Sequence, residues 1–576
     1  MTDQFRGMSL KRRTFIAMLG ASGAAVALKP TWFDLPADAA ATPVDPAYPH
    51  GIAAGDPRPD GSVIWTRVDP TADAGGGVEV LWEVATAADF ATIVASGSTT
   101  ATASTDHTLK VLVEGLGSDA WYAYRFTYDD EVSRTGRLRT APAAGSSPEQ
   151  LRFAFSSCQQ ITRSIYVAHA AMAAEEGLDF FVHYGDYVYV SDGGTQTVDD
   201  YRNVYKRFKA NPYLQDLHAA VPIVAMWDDG EFANGVDKTF PLPRFDNARQ
   251  AWFEFFPHLA PAEEPFRTYR AFEWGDLVDF TMLDVRQYRD VLVDANIPEG
   301  ILPSTDTNLP SGAVIFDPDR SCLGAPQKAW FKDRLTASTA TWRHIGTGYP
   351  FVALRLEDYD TPEVRADPPE GWHPNGGKYF STEQWDGYWA ERRELMDFVA
   401  AECVENVIIT SGHTHIWFEA GIRPDYDDLP VDGVGGSPVV AREYVCGSLT
   451  ADPDVRESFF PGLPKEEAEA GVRSLEAAFL AGNPHVGYID LLNQGYGLVT
   501  MTPATTTVDF RVIDTFDEDA VAVTKETYEV AAGSLPEGIC NPTPLPTTTT
   551  TTTVPDDGVA PAEGAQPIAG SPSYTG

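Results

Sequence analysis

Side chains that can bind metal ions follow apolar runs in the middle of this sequence. The run DFFVHY ends in Gly185-Asp186, and a tyrosine comes three residues later at Tyr189. A carboxylate at a strand end can bridge two cations, and a tyrosine phenolate suits a hard, highly charged ion such as Fe(III). The segment SGHTH adds His413 and His415, two imidazoles that point the same way from one extended segment. These types and spacings indicate a binuclear metal site.

The elements that must position these side chains are alternating strands and helices. Between about residues 150 and 530, apolar runs such as RFAFSS, VPIVAMW, LVDFTMLD and NVIITSG alternate with helix-like stretches such as SIYVAHAAMAAEE and WAERRELMDFVAAE. This alternation predicts a layered α/β domain, in which the loops at the carboxyl ends of strands converge on one crevice. The polar residues that follow successive runs should therefore form one site: Cys158, Asp186, Asp228, Asp229, Asp284, Arg286, His413 and His415.

Each of these signals has a plainer explanation when it is taken alone. A Gly-Asp pair after a strand is usually a turn, and a His-x-His segment is often a surface loop. Cys158 is also typical of a small buried thiol. His183, inside an apolar run, is more often a packed core residue than a ligand, and we do not assign it a role. The metal-site hypothesis depends on the order and combination of the signals.

Composition and charge exclude one class of partner. The chain has 576 residues, 43% of them hydrophobic, which suffices for a large core and more than one domain. Acidic residues outnumber basic ones by 83 to 42, and the formal net charge is -41. Such a surface repels a polyphosphate backbone, so no nucleic acid partner is expected.

The first residues resemble an export signal. Arg12 and Arg13 precede an apolar run, 15–28, that is too short to span a bilayer, and small residues at 37–41 offer cleavage sites. Residues 1–41 are therefore predicted to be a signal peptide of the twin-arginine type, which exports folded proteins. An ordinary secretory signal is the alternative. Either way, a secreted or cell-surface protein is expected, with no transmembrane segment in the mature chain.

The remaining segments differ in composition. Short alternating runs such as GSVIWTRV and WYAYRFTY predict an N-terminal all-β sandwich domain over residues 43–147. The Pro/Gly/Ser-rich stretch at 140–150 resembles an interdomain linker before a catalytic domain at 148–530. The Thr/Pro-rich tail at 541–576 has too little apolar content to pack, and we expect it to be disordered.

Several motifs together resemble the alkaline phosphatase D (PhoD-like) family of metallophosphoesterases. They are HGIAAGDPRPDGSVIWTRV, FAFSSCQ, VHYGDYVY, WDDGEFANG, YRAFEWGDLVDFTMLDVRQYRD, WDGYWAERRELMDF and SGHTHIW, in the family's order. The resemblance implies a four-layered α/β/β/α metallophosphoesterase-type sandwich, preceded by the small all-β domain. It implies a secreted phosphatase or phosphodiesterase that holds iron, Fe(3+), and calcium, Ca(2+). Carried across by motif, the iron ligands would be Cys158, Asp186 and Tyr189, with Asp186 bridging toward a second cation near Asp229.

Two positions depart from the family pattern. The family has Asp-Asp-His-Glu where this chain has Asp228-Asp229-Gly230-Glu231, so an imidazole expected beside the substrate phosphate is missing. In SGHTH, His413 stands where the family usually has aspartate. A neutral nitrogen in place of a carboxylate favours a divalent transition metal over calcium at the second site. The metal pair is therefore expected to differ from the family's.

The ligand set predicts hydrolysis of phosphate mono- or diesters. Two cations would hold the phosphate oxygens and generate a bound hydroxide that attacks phosphorus in line with the leaving oxygen. Arg286 is the candidate guanidinium for the phosphoryl oxygens, and Asn234 a candidate donor; a structural salt bridge and a turn are their alternatives. Two other functions stay open: phospholipase D-like hydrolysis of lipid headgroups, and a cell-surface binding protein that has lost turnover. The natural substrate and the oligomeric state are not indicated.

The five cysteines permit up to two disulfides in an exported chain. Cys158 is the natural unpaired residue because it lies among the candidate ligands. The four others are available for pairing, with a connectivity that the sequence leaves open: Cys322, Cys403, Cys446 and Cys540.

Overall fold

The computed structural model describes most of the chain between residues 45 and 536. The described residues are 45–70, 77–161, 165–190, 194–293, 305–306, 313–358, 364, 366–367, 373, 375–428, 436–451 and 455–536. The predicted signal peptide at 1–41 and the predicted disordered tail at 541–576 lie outside these residues.

The described residues contain 24 strands. The first twelve are β1 (Ile52–Arg58), β2 (Gly61–Arg67), β3 (Val78–Ala85), β4 (Ile93–Ala101), β5 (Thr108–Val113), β6 (Trp121–Tyr128), β7 (Glu131–Val132), β8 (Gly136–Arg139), β9 (Leu151–Ser156), β10 (Phe180–His183), β11 (Ile223–Ala225) and β12 (Arg270–Trp274). The others are β13 (Val278–Met282), β14 (Thr305–Asp306), β15 (Trp342–Gly346), β16 (Arg355–Asp358), β17 (Gly377–Tyr379), β18 (Val407–Ser411), β19 (Trp417–Ile422), β20 (Ala441–Val445), β21 (Val486–Asp490), β22 (Gln494–Met501), β23 (Thr505–Ile513) and β24 (Val523–Ala531).

Eight α-helices connect these strands in the described part of the chain. They are α1 (Val167–Ala173), α2 (Val198–Lys209), α3 (Pro212–Ala220), α4 (Arg244–Phe255), α5 (Gly324–Ala337), α6 (Trp389–Ala401), α7 (Val455–Phe459) and α8 (Lys465–Gly482). Short 3-10 turns occur at Ala103–Thr105, Ala313–Phe316 and Trp385–Tyr388. Within these described ranges, every helix is too short or too polar to cross a bilayer.

Two large sheets form the centre of the fold. The first has nine strands in the order β24-β23-β22-β9-β10-β11-β1-β2-β5, and the second has seven in the order β12-β13-β15-β18-β20-β19-β21. In the first sheet β9, β10 and β11 are parallel, with His183 of β10 opposite both Ser156 and Ala225. In the second, β13, β15, β18 and β20 are parallel. Each sheet therefore presents several strand ends at one edge.

The sheets pack face to face, with helices on both outer sides. Phe153 and Phe180 of the first sheet contact Phe280 of the second, with ring centroids 5.3 Å apart in both pairs. Side chains of β18 alternate between two cores: Ile408 belongs to the central one, whereas Ile409 packs in the outer one with α5, α6 and α8. The predicted four-layered α/β/β/α sandwich, preceded by an all-β region, is confirmed.

The N-terminal β-region is less separate than the sequence analysis expected. Its strands β3, β4, β6, β7 and β8 form one sheet over a core of its own, but β1, β2 and β5 extend the nine-stranded sheet of the catalytic region. The join is a parallel contact of Gly55 with Ile223. The predicted linker also packs: Ala141 is buried, and the Trp274 indole donates to the Gln150 carbonyl. The domain boundary near 147 stays a prediction.

The structure permits fewer disulfides than the two that the five cysteines would allow. Cys158, Cys322 and Cys446 are buried free thiols, and Cys403 is disulfide-bonded. Cys322 lies 3.0 Å from the Tyr349 hydroxyl and packs among apolar side chains of the outer core. One disulfide is therefore possible rather than two.

Candidate metal centre

Two groups of donor atoms lie at the edge where the strands end. The atoms within each group lie within 4.8 Å of one another, and Asp186 belongs to both groups. The first group consists of Cys158, Asp186 and His415, and the second of Asp186, Asp228, Asp229 and His413. The structure thus brings together five of the six residues that the sequence analysis proposed as metal ligands, and adds Asp228.

The sixth proposed ligand, Tyr189, joins the first group. Its hydroxyl lies 3.2 Å from His415 Nε2. Cys158 Sγ lies 3.4 Å from Asp186 Oδ2, to which it donates a hydrogen bond. Cys158 and Asp186 are buried, whereas Tyr189 and His415 are partly exposed. The first group is therefore open to solvent on the side of its phenol and imidazole.

Strand ends position these side chains. Cys158 follows β9, Asp186 follows β10, Asp228 follows β11 and His413 follows β18. Parallel strands of one sheet end at the same edge, which brings the first three together. β18 contributes His413 from the facing sheet.

Gly185 explains why the run DFFVHY ends in Gly-Asp. Its φ is 96°, in the left-handed region that favours glycine. A Cβ at this position would collide with the backbone nitrogen of Asp228. A glycine therefore lets the loops after β10 and β11 approach closely enough for Asp186 and Asp228 to share a site.

Four of the donor residues have an unusual backbone. Cys158, Asp186, His413 and His415 have φ values of 60°, 54°, 72° and 59°. A residue with a Cβ in this region costs about 1–3 kcal/mol and persists only when its surroundings hold it. Such strain is often found at functional sites, and four of the fourteen described non-glycine residues with positive φ carry donor atoms here.

The charged side chains of the second group shift one another's pKa values. Burial, together with Asp229 and Asp228, raises the pKa of Asp186 well above its ordinary value. Burial also opposes ionisation of Asp228, but Arg286 and His413 outweigh it and lower the pKa of Asp228 to about 2. Burial disfavours the charged form of His413, yet Asp228 raises the pKa of this imidazole to about 9. Its Nδ1 lies 2.6 Å from Asp228 Oδ2.

The donor set fits two cations that share one carboxylate. Asp186, Asp228, Asp229 and Glu231 are all buried, and the Arg286 guanidinium contacts two of them, Asp228 and Asp229. A phosphate ester would be repelled by this excess of negative charge unless cations offset it. Sulfur, phenol and imidazole donors in the first group suit a transition metal, and the carboxylates of the second suit a hard or borderline cation.

Arg286 is positioned differently from the phosphate clamp that the sequence suggested. Its side chain is fully buried. Nε donates to Asp228, Nη1 donates to Glu383 at 2.6 Å, and Nη2 lies 3.2 Å from His413 Nδ1. With its nitrogens engaged in this way, Arg286 orients Asp228 and His413. Asn234 is exposed, one residue before Gly235, whose N–H donates to Asp229 at 3.1 Å; its role as a phosphate donor stays a prediction.

Gly230 does not point toward open space. Its N–H donates to Asp186 Oδ1 at 2.8 Å. A Cβ at position 230 would lie 2.6 Å from that same oxygen and 2.7 Å from the Val188 carbonyl oxygen. A histidine here would therefore have to displace Asp186, and its expected position beside the substrate stays a prediction.

Two further carboxylates belong to the site. Glu231, fully buried, accepts the backbone N–H groups of Asp186, Tyr187 and Asp228 at 3.0, 2.8 and 2.9 Å. Glu383 accepts from Arg286. The acidic cluster in WDDGE was a signal for Glu231, although no role was predicted for it. Glu383 carried no such signal, because it precedes the Trp385 turn and comes from a different part of the chain.

Comparisons with known proteins agree on one family. A family model described as PhoD-like phosphatase matches residues 153–510, and one described as PhoD-like phosphatase, N-terminal domain, matches residues 35–142. Alkaline phosphatase D of Bacillus subtilis (strain 168) is 30% identical over 561 residues, which cover 90% of this chain and 87% of that protein. A solved structure of PhoD superposes with a TM-score of 0.70 at 27% identity, covering 86% of this chain and 92% of that one.

Proposed function

Because the chain belongs to the PhoD-like phosphatase family and is a phosphoesterase, we propose that it hydrolyses phosphate mono- or diesters at the centre around Asp186. The observation that carries this proposal is the membership of Asp186 in both donor groups. A carboxylate shared by two cations is the arrangement that two-metal phosphoesterases need. Tyr189, His413 and His415 are the partly exposed members, so the ester approaches from their side.

We propose a different position for each of the two cations. Cys158, Asp186, Tyr189 and His415 would hold Fe(III), and Asp186, Asp228, Asp229 and His413 would hold calcium or a divalent transition metal. When bound, such ions supply Lewis acidity, which offsets phosphoryl charge and activates water for attack on phosphorus.

The chain itself contributes orientation and charge. Arg286 fixes Asp228 and His413, and Glu231 holds the backbones of the loops after β10 and β11. Asn234, on the exposed side, is the proposed hydrogen-bond donor to the phosphoryl oxygens. No side chain has to act as the nucleophile in this scheme, since water is the attacking group.

A substrate panel with one inactive variant tests the function. The metal-loaded protein is assayed on 4-nitrophenyl phosphate, bis(4-nitrophenyl) phosphate and phosphatidylcholine. We expect turnover of the first two and its loss in Asp186→Asn, with the fold retained, because both cations lose a shared ligand. Asp216→Asn is the matched control, since that side chain is 55% exposed. Undiminished turnover by Asp186→Asn contradicts the proposal, and release of choline alone would indicate a phospholipase D-like enzyme.

The cellular location is proposed from the sequence. Arg12 and Arg13 before a short apolar run support export of the folded protein by the twin-arginine route, to the cell surface or beyond. Replacing both arginines with lysine keeps the charge but removes the guanidinium pair, and we expect the precursor to accumulate inside the cell. Lys11→Arg serves as the control. Normal export of the double variant, measured by fractionation, would indicate an ordinary secretory signal.

A further inference from the structure

Three buried histidines lie behind the loops that carry the donor atoms of the metal centre. His183 ends β10, His169 belongs to α1 and His218 belongs to α3. Phe180 contacts the facing sheet, so the alternation of the strand turns Phe181 and His183 to the helical side, where Phe181 and His218 have ring centroids 5.5 Å apart. We call the three histidines the histidine layer. Each is at most 3% exposed, and none is a proposed metal ligand.

His169 is linked to the metal-site loops through one glutamine. Its Nε2 lies 2.8 Å from Gln159 Oε1. Gln159 directly follows Cys158, and its side-chain Nε2 donates to the Tyr187 carbonyl at 2.9 Å. Because Tyr187 directly follows Asp186, this glutamine connects the loop after β9 to the loop after β10.

His183 and His218 bind the residues on either side of Asp186. The Gly185 N–H donates to His183 Nδ1 at 3.3 Å. His218 Nε2 lies 2.7 Å from the Tyr187 hydroxyl, and the His183 ring also packs edge-on against Tyr187, with centroids 5.2 Å apart. Imidazoles therefore hold both neighbours of the carboxylate that the two donor groups share.

The histidine layer is uncharged and incompletely hydrogen-bonded. Burial lowers the pKa of His183 to about 3, and it lowers the pKa values of His169 and His218 well below the ordinary value. A neutral imidazole offers one donor and one acceptor. In the described part of the chain, one nitrogen of each ring has no hydrogen-bond partner: Nδ1 of His169, Nε2 of His183 and Nδ1 of His218.

Packing alone is a poor explanation for three such rings in one layer. An unpaired polar atom in a buried position lowers the stability of the fold, and an apolar side chain of similar size would avoid that cost. The paired nitrogen of each ring, by contrast, binds a residue next in sequence to a proposed ligand or two residues from it at most. Metal sites commonly depend on hydrogen-bonding groups behind the ligands, because these groups fix how the ligands are oriented.

We infer that the histidine layer positions the loops of Cys158 and Asp186 before a cation binds. The three rings act through the neighbours of these ligands and are therefore positioning residues. This role depends on the proposed function, in which Cys158 and Asp186 bind metal. A weakened layer should leave the fold in place but let the loops move, so that cations bind less tightly.

Hydrogen exchange in the metal-free protein tests whether the layer holds these loops. In His218→Leu, the amides of residues 185–187 should exchange about tenfold faster or more, because the Tyr187 hydroxyl loses its partner. His218→Gln should restore slow exchange, since its amide again binds that hydroxyl. His485→Leu is the matched control: His485 is also buried, with one nitrogen bonded to the Ala353 carbonyl and the other unpartnered among the described residues, but it precedes β21 in the other large sheet. Equal exchange in wild type and His218→Leu would overturn the inference.

Titration with Co²⁺ tests the consequence for metal binding. The visible absorption of bound Co²⁺ reports its affinity for each metal-free protein. His218→Leu should bind Co²⁺ about tenfold more weakly than wild type does, whereas His485→Leu should bind it equally well. The two variants should lose a similar amount in Tm, because each removes one buried imidazole. Equal losses of Co²⁺ affinity in both would indicate general destabilisation and overturn the inference.

Two further variants keep the outcomes distinct. If Asp186→Asn binds Co²⁺ as tightly as wild type does, the proposed metal centre is wrong, whereas the exchange experiment still tests the histidine layer. If His218→Leu fails to fold, Tyr187→Phe removes the same hydrogen bond from its other side and should give the same faster exchange and weaker Co²⁺ binding. Unchanged exchange and affinity in Tyr187→Phe would also overturn the inference.

Discussion

At the scale of single residues, the donor side chains depend on backbone conformations that the residues would not adopt alone. Cys158, Asp186, His413 and His415 all occupy the left-handed region. Loops held in this way by packed strand ends can keep their donor atoms in place before a cation binds. The substitutions that matter most are therefore those that alter a donor atom or move one of these loops.

Tyr189→Phe tests the proposed iron ligand. If Fe(III) occupies the first group, wild-type protein should show a visible phenolate-to-iron absorption band, and the variant should lose it because the phenol oxygen is gone. Tyr488→Phe, which removes a hydroxyl bonded to Asp490 instead, should keep the band. Absorption spectra and elemental analysis provide the measurement. A colourless, iron-free protein with full activity would contradict the assignment.

Gly230→Ala and Gly230→His should both lower activity. The new Cβ would lie 2.6 Å from Asp186 Oδ1, so the shared carboxylate or its loop must shift. A displacement of about 1 Å at a reacting centre can cost roughly 10²-fold in rate. We expect losses of this order in kcat and a lower metal content. Gly482→Ala is the control, because no atom lies within 4 Å of its new Cβ. Higher activity in Gly230→His would show that position 230 faces the substrate after all.

At the scale of elements, the site depends on how two loops are held together. Glu231 collects backbone N–H groups from the loop after β10 and from the loop after β11. In the facing sheet Glu443 acts similarly, accepting the N–H groups of Phe351 and Val352 and the Ser411 hydroxyl. Buried carboxylates that bind several N–H groups fix loops that lack a regular hydrogen-bond ladder.

Glu231→Gln should show whether Glu231 positions the donor residues or only stabilises the fold. The amide keeps one acceptor oxygen but turns an NH₂ toward a backbone donor, which leaves an N–H unsatisfied at a cost of about 1–3 kcal/mol. We expect kcat and metal affinity to fall as well, because Asp186 and Asp228 move. Glu391→Gln is the matched control: Glu391 accepts the Leu323 N–H and the Ser321 hydroxyl, away from the donor groups. It should lose stability and keep kcat. Equal kcat losses in the two variants would indicate a merely structural role for Glu231.

At the scale of the whole molecule, the N-terminal strands and the catalytic sandwich share a sheet. Trp65 of β2 is fully buried, and its indole donates to the Glu254 carbonyl of α4 at 2.7 Å. The Lys209 ammonium at the end of α2 lies 4.5 Å from the indole ring centroid. These contacts join residues far apart in the chain, so the two regions should unfold together.

Trp65→Ala should destabilise the enzyme as a unit. Removing a fully buried indole costs about 3–5 kcal/mol, and the shared sheet transmits that loss to the metal centre. Calorimetry should show one transition at lower Tm, with activity lost in the same temperature range. Trp82→Ala on β3 is the control; its half-buried side chain packs in the N-terminal core, and the loss should be smaller. Two separate transitions, with activity persisting through the first, would show independent domains.

The sequence by itself determined the types of donor and the elements that carry them. Short, continuous apolar runs predict buried strands, and polar residues just beyond their ends are brought to one edge by parallel packing. Local spacing was therefore enough to predict that Cys158, Asp186, Tyr189, His413 and His415 lie close together, whereas their role as ligands stays a prediction. The motif order was enough for the family and the layered fold.

Only the tertiary structure decided which atoms meet. The pairing of Gly55 with Ile223 connects residues far apart in the chain, and pairing between strands so distant in sequence leaves no local pattern in either of them. The direction of a Cβ at Gly230 and the two donor groups that share Asp186 depend on how loops from different strands pack. Close contacts between distant segments are set by packing of the whole chain. The motifs could therefore identify these residues as candidates, but they could not predict which atoms come into contact.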